Sequence, residues 1–213
     1  MTSICLLPPL GHPAAIYEPL AETLLPDFEL VALDYPVDDL DLHAPDLLAA
    51  LADRLAPAIS ARNPAIVGGI SLGASLCYLL AERVGAEAIV LMAPGGPRTP
   101  TTRREVIVSS MAELGEREFA RRHFGEPPGS PEAVCALLRA ALEADFEAAM
   151  ARLPMRIEVV WGDRDRLFSE RHMDRVRRAL PPHRYHILAG VGHYAAAEAP
   201  DRVADIIRSV EIP

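Results

Sequence analysis

The sequence predicts an α/β domain, doubly wound, with a mostly parallel sheet of about six strands. Three observations carry that expectation. Six short apolar runs recur, at 4–7, 29–33, 65–68, 88–92, 157–161 and 185–188. Most are continuous rather than alternating, as in strands buried on both faces. Helical patterns fall between several of them, and strands alternating with helices make βαβ units.

The elements follow in order. The run at 4–7 leads into Pro8-Pro9-Leu10-Gly11-His12. A helix fits 18–25. Another fits 46–59, where Leu47, Leu48, Leu51 and Leu55 keep near-helical spacing after Pro45. The run at 65–68 passes into Gly69-Ile70-Ser71-Leu72-Gly73 and then a helix-like stretch, 71–84. Helices are also expected at 169–179 and 200–210. Only the interval between Met92 and Ile157 breaks the rhythm. It begins Gly95-Gly96-Pro97, carries helical patterns without a strand, and is divided by Pro127-Pro128-Gly129. It follows the end of a strand, where open α/β sheets place ligands, so 99–152 reads as a helical lid inserted in one domain of 1–213.

Composition narrows the function. The 213 residues are half hydrophobic, so the chain is globular rather than disordered. A net charge of -9 argues against a nucleic-acid partner. Every side-chain cation other than histidine is arginine, a pattern consistent with codon bias. Cys5, Cys77 and Cys135 are widely spaced and read as thiols in a reducing, cytoplasmic setting. No run approaches membrane-spanning length, and the N-terminus lacks a basic region before its apolar run, so neither a membrane span nor a signal peptide is expected. No His/Asp/Glu cluster shows metal spacing, and neither metal nor cofactor is expected.

Strand, G-x-S-x-G, helix is the layout of a nucleophile elbow. A serine that attacks a carbonyl must stand clear of the sheet on a sharp turn. Flanking glycines let strand and helix approach closely. An activated serine needs a base, and the base an orienting carboxylate. The fifth run ends Gly162-Asp163-Arg164-Asp165, and the sixth Gly192-His193. The order Ser71, Asp163 or Asp165, then His193 is the chain order of such a relay.

On these motifs the chain resembles the α/β-hydrolase superfamily over nearly its whole length, as a small esterase- or thioesterase-like member. The resemblance maps the acid to Asp165, with Asp163 as a turn residue, and the base to His193. Glu198-Ala199-Pro200 is also family-like. The resemblance implies a sheet without the family's first two strands, order 2-1-3-4-5-6 in this chain's count. It implies oxyanion donors at the backbone of Leu72 and Leu10. Pro8 and Pro9 depart from the His-Gly common in that loop; having no N–H, neither can donate, which leaves Leu10 as the first donor. Gly11, His12 and Ile70 are candidate pocket residues. Met111, Leu114, Phe119 and Phe124 of the lid could form an apolar acyl pocket, and Arg98, Arg103 and Arg104 could meet an acidic substrate. The remaining histidines, His43, His123, His172, His183 and His186, read as surface or packing residues.

The implied activity is hydrolysis of a carboxylic ester, lactone or thioester, free or borne on a carrier protein, through an acyl-serine. Two alternatives stand beside it: a C–C hydrolase, lyase or cyclase on the same fold, and a non-catalytic ligand-binding protein. The sequence leaves the oligomeric state open.

Overall fold

The computed structural model describes residues 1–38, 40–98 and 129–212. Six strands form one sheet: β1 (Thr2–Leu7), β2 (Phe28–Ala32), β3 (Ile66–Ile70), β4 (Ala88–Met92), β5 (Arg156–Gly162) and β6 (Arg184–Leu188). Their order is β2-β1-β3-β4-β5-β6, and every pairing is parallel. This is the order the resemblance implies. Strands β3 and β4 are buried at every position, which explains their uninterrupted apolar runs. The edge strands β2 and β6 are not, and Ile187 of β6 is exposed.

Side-chain alternation along the strands divides the core into two layers. Cys5, Val67, Leu91 and Val159 face α2 (Leu47–Ser60), α3 (Leu72–Leu80), α4 (Pro131–Glu143), α5 (Glu147–Met150) and α6 (Glu170–Ala179). Ile4, Ile66, Val90 and Val160 face a 3-10 turn (Ala14–Tyr17), α1 (Glu18–Leu24), α7 (Ala195–Glu198) and α8 (Pro200–Arg208). A period of two on each strand therefore supplies both faces of the sheet.

The helix after β3 is shorter than the 71–84 expected. Regular α-helix stops at Leu80, and one further turn closes as Ala86 N–H bonds the Ala81 carbonyl and Gly85 N–H that of Glu82. Gly85 takes φ +70°, the left-handed conformation that ends a helix in this way. The four-residue 3-10 turn has no counterpart in the sequence reading, and the helix expected after His193 around Glu198-Ala199-Pro200 is split into α7, ending at Glu198, and α8, beginning at Pro200. Of the stretch 99–152, the described part, 129–152, carries α4 and α5. No helix among the described residues is long and apolar enough to cross a membrane.

Candidate active site

Ser71 stands between β3 and α3 with φ +55° and ψ -113°. A non-glycine residue in that region is strained by about 1–3 kcal/mol, and such strain persists only where the surroundings enforce it. Here they do. Ser71 N–H donates to the Met92 carbonyl at 2.9 Å, and the Ser71 carbonyl accepts from Ser75 N–H at 3.0 Å and Ser75 Oγ at 2.9 Å. The two glycines of the motif are demanded by space. A Cβ on Gly69 would meet Gly73 and the Leu7 carbonyl at 2.6 Å each, and one on Gly73 would lie 2.1 Å from the Leu7 oxygen. Strand, elbow and the end of β1 are thus in backbone contact.

β5 ends at Gly162, whose Cβ would strike the Val191 carbonyl at 2.2 Å, so the loops after β5 and β6 also touch. That contact brings Asp165 to His193. Asp165 Oδ2 accepts from His193 Nδ1 at 2.8 Å, with both side chains out of solvent. Asp165 Oδ1 accepts from Leu167 N–H at 2.8 Å and Phe168 N–H at 2.9 Å. The carboxylate is fixed by its own turn and presents one oxygen to the imidazole. A carboxylate cannot donate, so the histidine carries its proton on Nδ1 and Nε2 holds the lone pair. The ring of His193 meets the Phe168 and Tyr194 rings edge-on, at 5.5 and 5.2 Å.

Asp163 does something else. Its Oδ1 accepts from Gly190 N–H at 2.7 Å and ties the two loops together, as a turn residue would. Of the two acids the sequence offers, Asp165 is the one bonded to His193.

A cavity opens between these loops. Ser71, His193, Leu10 and Leu72 all line it, so the candidate nucleophile, base and oxyanion donors share one space. Its apolar wall includes Leu138, Leu142 and Phe146, from α4 and the segment that follows it. Arg98 and Ser75 also border it. Three of the other expected pocket residues are elsewhere. Ile70 is wholly buried in the layer facing α1 and α8, because alternation along β3 turns it there with Ile66. Gly11 and His12 are absent from the lining; His12 is buried with its ring 4.8 Å from that of Tyr194. Arg103, Arg104, Met111, Leu114, Phe119, Phe124 and His123 lie outside the described residues.

The sequence reading missed several residues around this site. Glu198 accepts from Gly192 N–H at 2.7 Å through Oε2 and from Tyr194 N–H at 3.0 Å through Oε1. One carboxylate therefore clasps the backbone on both sides of His193. His172, expected on the surface or in packing, is buried and donates Nε2–H to the Pro94 carbonyl at 3.0 Å. It stacks on Phe168, ring centroids 4.2 Å apart. Burial, reinforced by the positive charges of Arg98 and Arg175, pushes its pKa down to about 4. Tyr78 donates to the Gly95 carbonyl at 2.9 Å, and Ser75 Oγ accepts from Gly95 N–H at 2.8 Å. Only Glu198 had a sequence signal, its place in the Glu-Ala-Pro that follows the histidine. Cys5 and Cys77 are buried; burial pushes Cys5 up to about 11 and Cys77 higher still, so neither offers a thiolate.

A family model described as the alpha/beta hydrolase family matches residues 6–206. The chain belongs to that family. No curated protein matches it at a significant level. Solved structures do. A carboxylesterase of the thaumarchaeon Nitrososphaera gargenis is 17% identical, with a TM-score of 0.75 over 97% of this chain and 88% of that one. A meta-cleavage product hydrolase from Pseudomonas fluorescens is 17% identical, TM-score 0.73, over 97% and 89%. The thioesterase domain from the curacin biosynthetic pathway is 13% identical, TM-score 0.70, over 98% and 92%. At these identities the likeness speaks for the fold alone.

Proposed function

We propose that this alpha/beta hydrolase is a serine hydrolase that cleaves a carboxylic ester, lactone or thioester of a small-molecule substrate through an acyl-Ser71 intermediate. The observation that carries the reading is the Nδ1 bond from His193 to Asp165, with His193 and the strained Ser71 lining one cavity. In this scheme Ser71 Oγ attacks the carbonyl carbon while His193 Nε2 takes its proton. The carbonyl oxygen gains negative charge and is received by the N–H groups of Leu10 and Leu72. Collapse expels the alcohol or thiol, which takes the proton back from His193. Water then repeats the sequence on the acyl-enzyme and releases the acid. Asp165 holds the histidine tautomer and stabilises the imidazolium. The described part of the inserted stretch, 129–152, acts as a lid within a single domain; Leu138, Leu142 and Phe146 support this as its apolar contribution to the acyl pocket. The activities of the similar structures, carboxylesterase and thioesterase among them, fit this chemistry.

The test is intact-mass analysis after exposure to a fluorophosphonate, with Ser71→Ala and His193→Ala beside the wild type. A single adduct on the wild type, absent from Ser71→Ala and slowed in His193→Ala, is the expected outcome. A folded wild type that takes no adduct would turn the assignment toward the C–C hydrolase, lyase, cyclase or binding readings.

A further inference from the structure

Two consecutive prolines remove two N–H groups from the loop that brings Leu10 to the cavity. A loop so depleted of donors leans on its carbonyls, and all four at residues 7–10 are engaged. The Leu7 oxygen accepts from Tyr17 Oη at 2.6 Å. The Pro8 oxygen accepts from Tyr35 Oη. The Pro9 oxygen accepts from His12 N–H at 3.2 Å. The Leu10 oxygen accepts from His12 Nδ1, also at 3.2 Å. Gly11 takes φ +76° between them, which lets the chain turn back so that His12 reaches both of the last two carbonyls. The loop also rests directly on the elbow, since a Cβ on Gly73 would meet the Leu7 and Pro8 oxygens at 2.1 and 2.7 Å.

We infer that Tyr35, together with Tyr17 and His12, is a positioning residue for the oxyanion loop: it holds the Leu10 N–H at the cavity by gripping the carbonyl two residues before it. The inference deepens the acyl-serine reading and rests on it. Tyr35 comes from the segment after β2, 27 residues along the chain, so the grip couples that segment to the elbow. Both tyrosines are buried. Burial pushes both phenols well above their ordinary value, so they remain donors across the working pH range. The two prolines complete the device. They restrict the loop's φ angles, and the tyrosines fix where the stiffened segment points.

The test separates the two levels. Fluorophosphonate labelling of wild-type Ser71 reports the underlying reading; without it, that reading fails first. Given labelling, Tyr35→Phe removes one hydroxyl and keeps the ring. A displaced oxyanion donor should lower kcat roughly 10- to 50-fold, less than deletion of a donor outright. KM should stay within about twofold, and affinity for a trifluoromethyl ketone, whose adduct carries the oxyanion, should weaken by the same factor as kcat. The pH dependence of kcat/KM, set by the catalytic base, should not move. Tyr17→Phe is measured on the same terms as an independent variant. Unchanged kcat and inhibitor affinity in a folded Tyr35→Phe protein would overturn the inference, as would a rise in substrate KM as large as the loss in kcat. Failure of both variants to fold would also overturn it, by making the tyrosines general core supports.

Discussion

The loops at the C-terminal edge of the sheet are held in two opposite ways. After β1 and β4 the chain is gripped mainly by its carbonyls: Tyr17, Tyr35 and His12 donate to residues 7–10, His172 to Pro94 and Tyr78 to Gly95, with Gly95 N–H donating to Ser75 as an exception. After β5 and β6 it is gripped mainly by its N–H groups: Asp165 accepts from residues 167 and 168, Asp163 from Gly190, and Glu198 from Gly192 and Tyr194, while Arg202 donates to the Ala189 carbonyl. The division follows the prolines. Pro8, Pro9 and Pro94 strip the first pair of loops of donors, so side chains must supply them. The second pair keeps its donors, and carboxylates collect them. Both halves reach the same end, a backbone fixed before substrate arrives, which is what electrostatic preorganisation requires.

The largest effect should come from the acceptor half. Asp165→Asn can still accept from Leu167 and Phe168, but it no longer offers His193 a charged partner. The kcat of an ester substrate should fall by roughly 10³–10⁴-fold with little change in KM. An equal loss in Asp163→Asn would break the division of labour between the two acids.

The donor half should show itself in acid. His172 takes its proton at about 4 in the folded protein against an ordinary 6.5. Between those values the unfolded chain binds the proton and the native one does not. Stability is therefore full above pH 6.5 and is lost progressively as pH falls toward 4, by about 3 kcal/mol from this residue alone. Urea midpoints measured from pH 7 to pH 4 should fall less steeply in His172→Gln than in the wild type. Equal slopes would place the acid sensitivity in another group.

Glu198→Ala leaves the N–H groups of residues 192 and 194 without their shared acceptor. A cost of about 1–2 kcal/mol is expected from equilibrium unfolding. We expect kcat to drop by about tenfold (~1.4 kcal/mol in the barrier), with Glu198→Gln recovering part of both. A stability loss with kcat untouched would make Glu198 a loop support that does not reach His193. The smallest effect belongs to Asp163→Ala. Its carboxylate is near solvent and holds a single N–H, so about 1 kcal/mol of stability and no change in kcat are expected.

What was legible in the sequence is what is written in short stretches. Ser71 follows from a five-residue motif. The pair Asp165 and His193 follows from two loops whose last residues are contiguous with apolar runs. The fixers were hidden because their partners are remote. Tyr35 meets a carbonyl 27 residues away and His172 one 78 residues away, and neither tyrosine nor histidine at those positions has a local pattern. His12 is the reverse case. It lies beside the loop, as the sequence suggests for a pocket residue, yet its ring turns onto backbone rather than into the cavity.

The sequence by itself determined the six strands, and its resemblance to the α/β hydrolases their order. Buried parallel strands must be apolar throughout, and helical crossovers admit few arrangements. It also determined where a strained serine would stand, because only glycines fit where β1, β3 and α3 close on one another. The resemblance favoured Asp165 over Asp163, and the tertiary structure supplies the physical reason: both lie in one turn, and with Gly162 packed against residues 191 and 192 it is Asp165 that meets the imidazole. The tertiary structure alone decided how a loop with two prolines is held in place. Hydrogen bonds satisfy buried carbonyls from whatever donor the fold brings near, and nearness in the fold is not written in neighbouring residues.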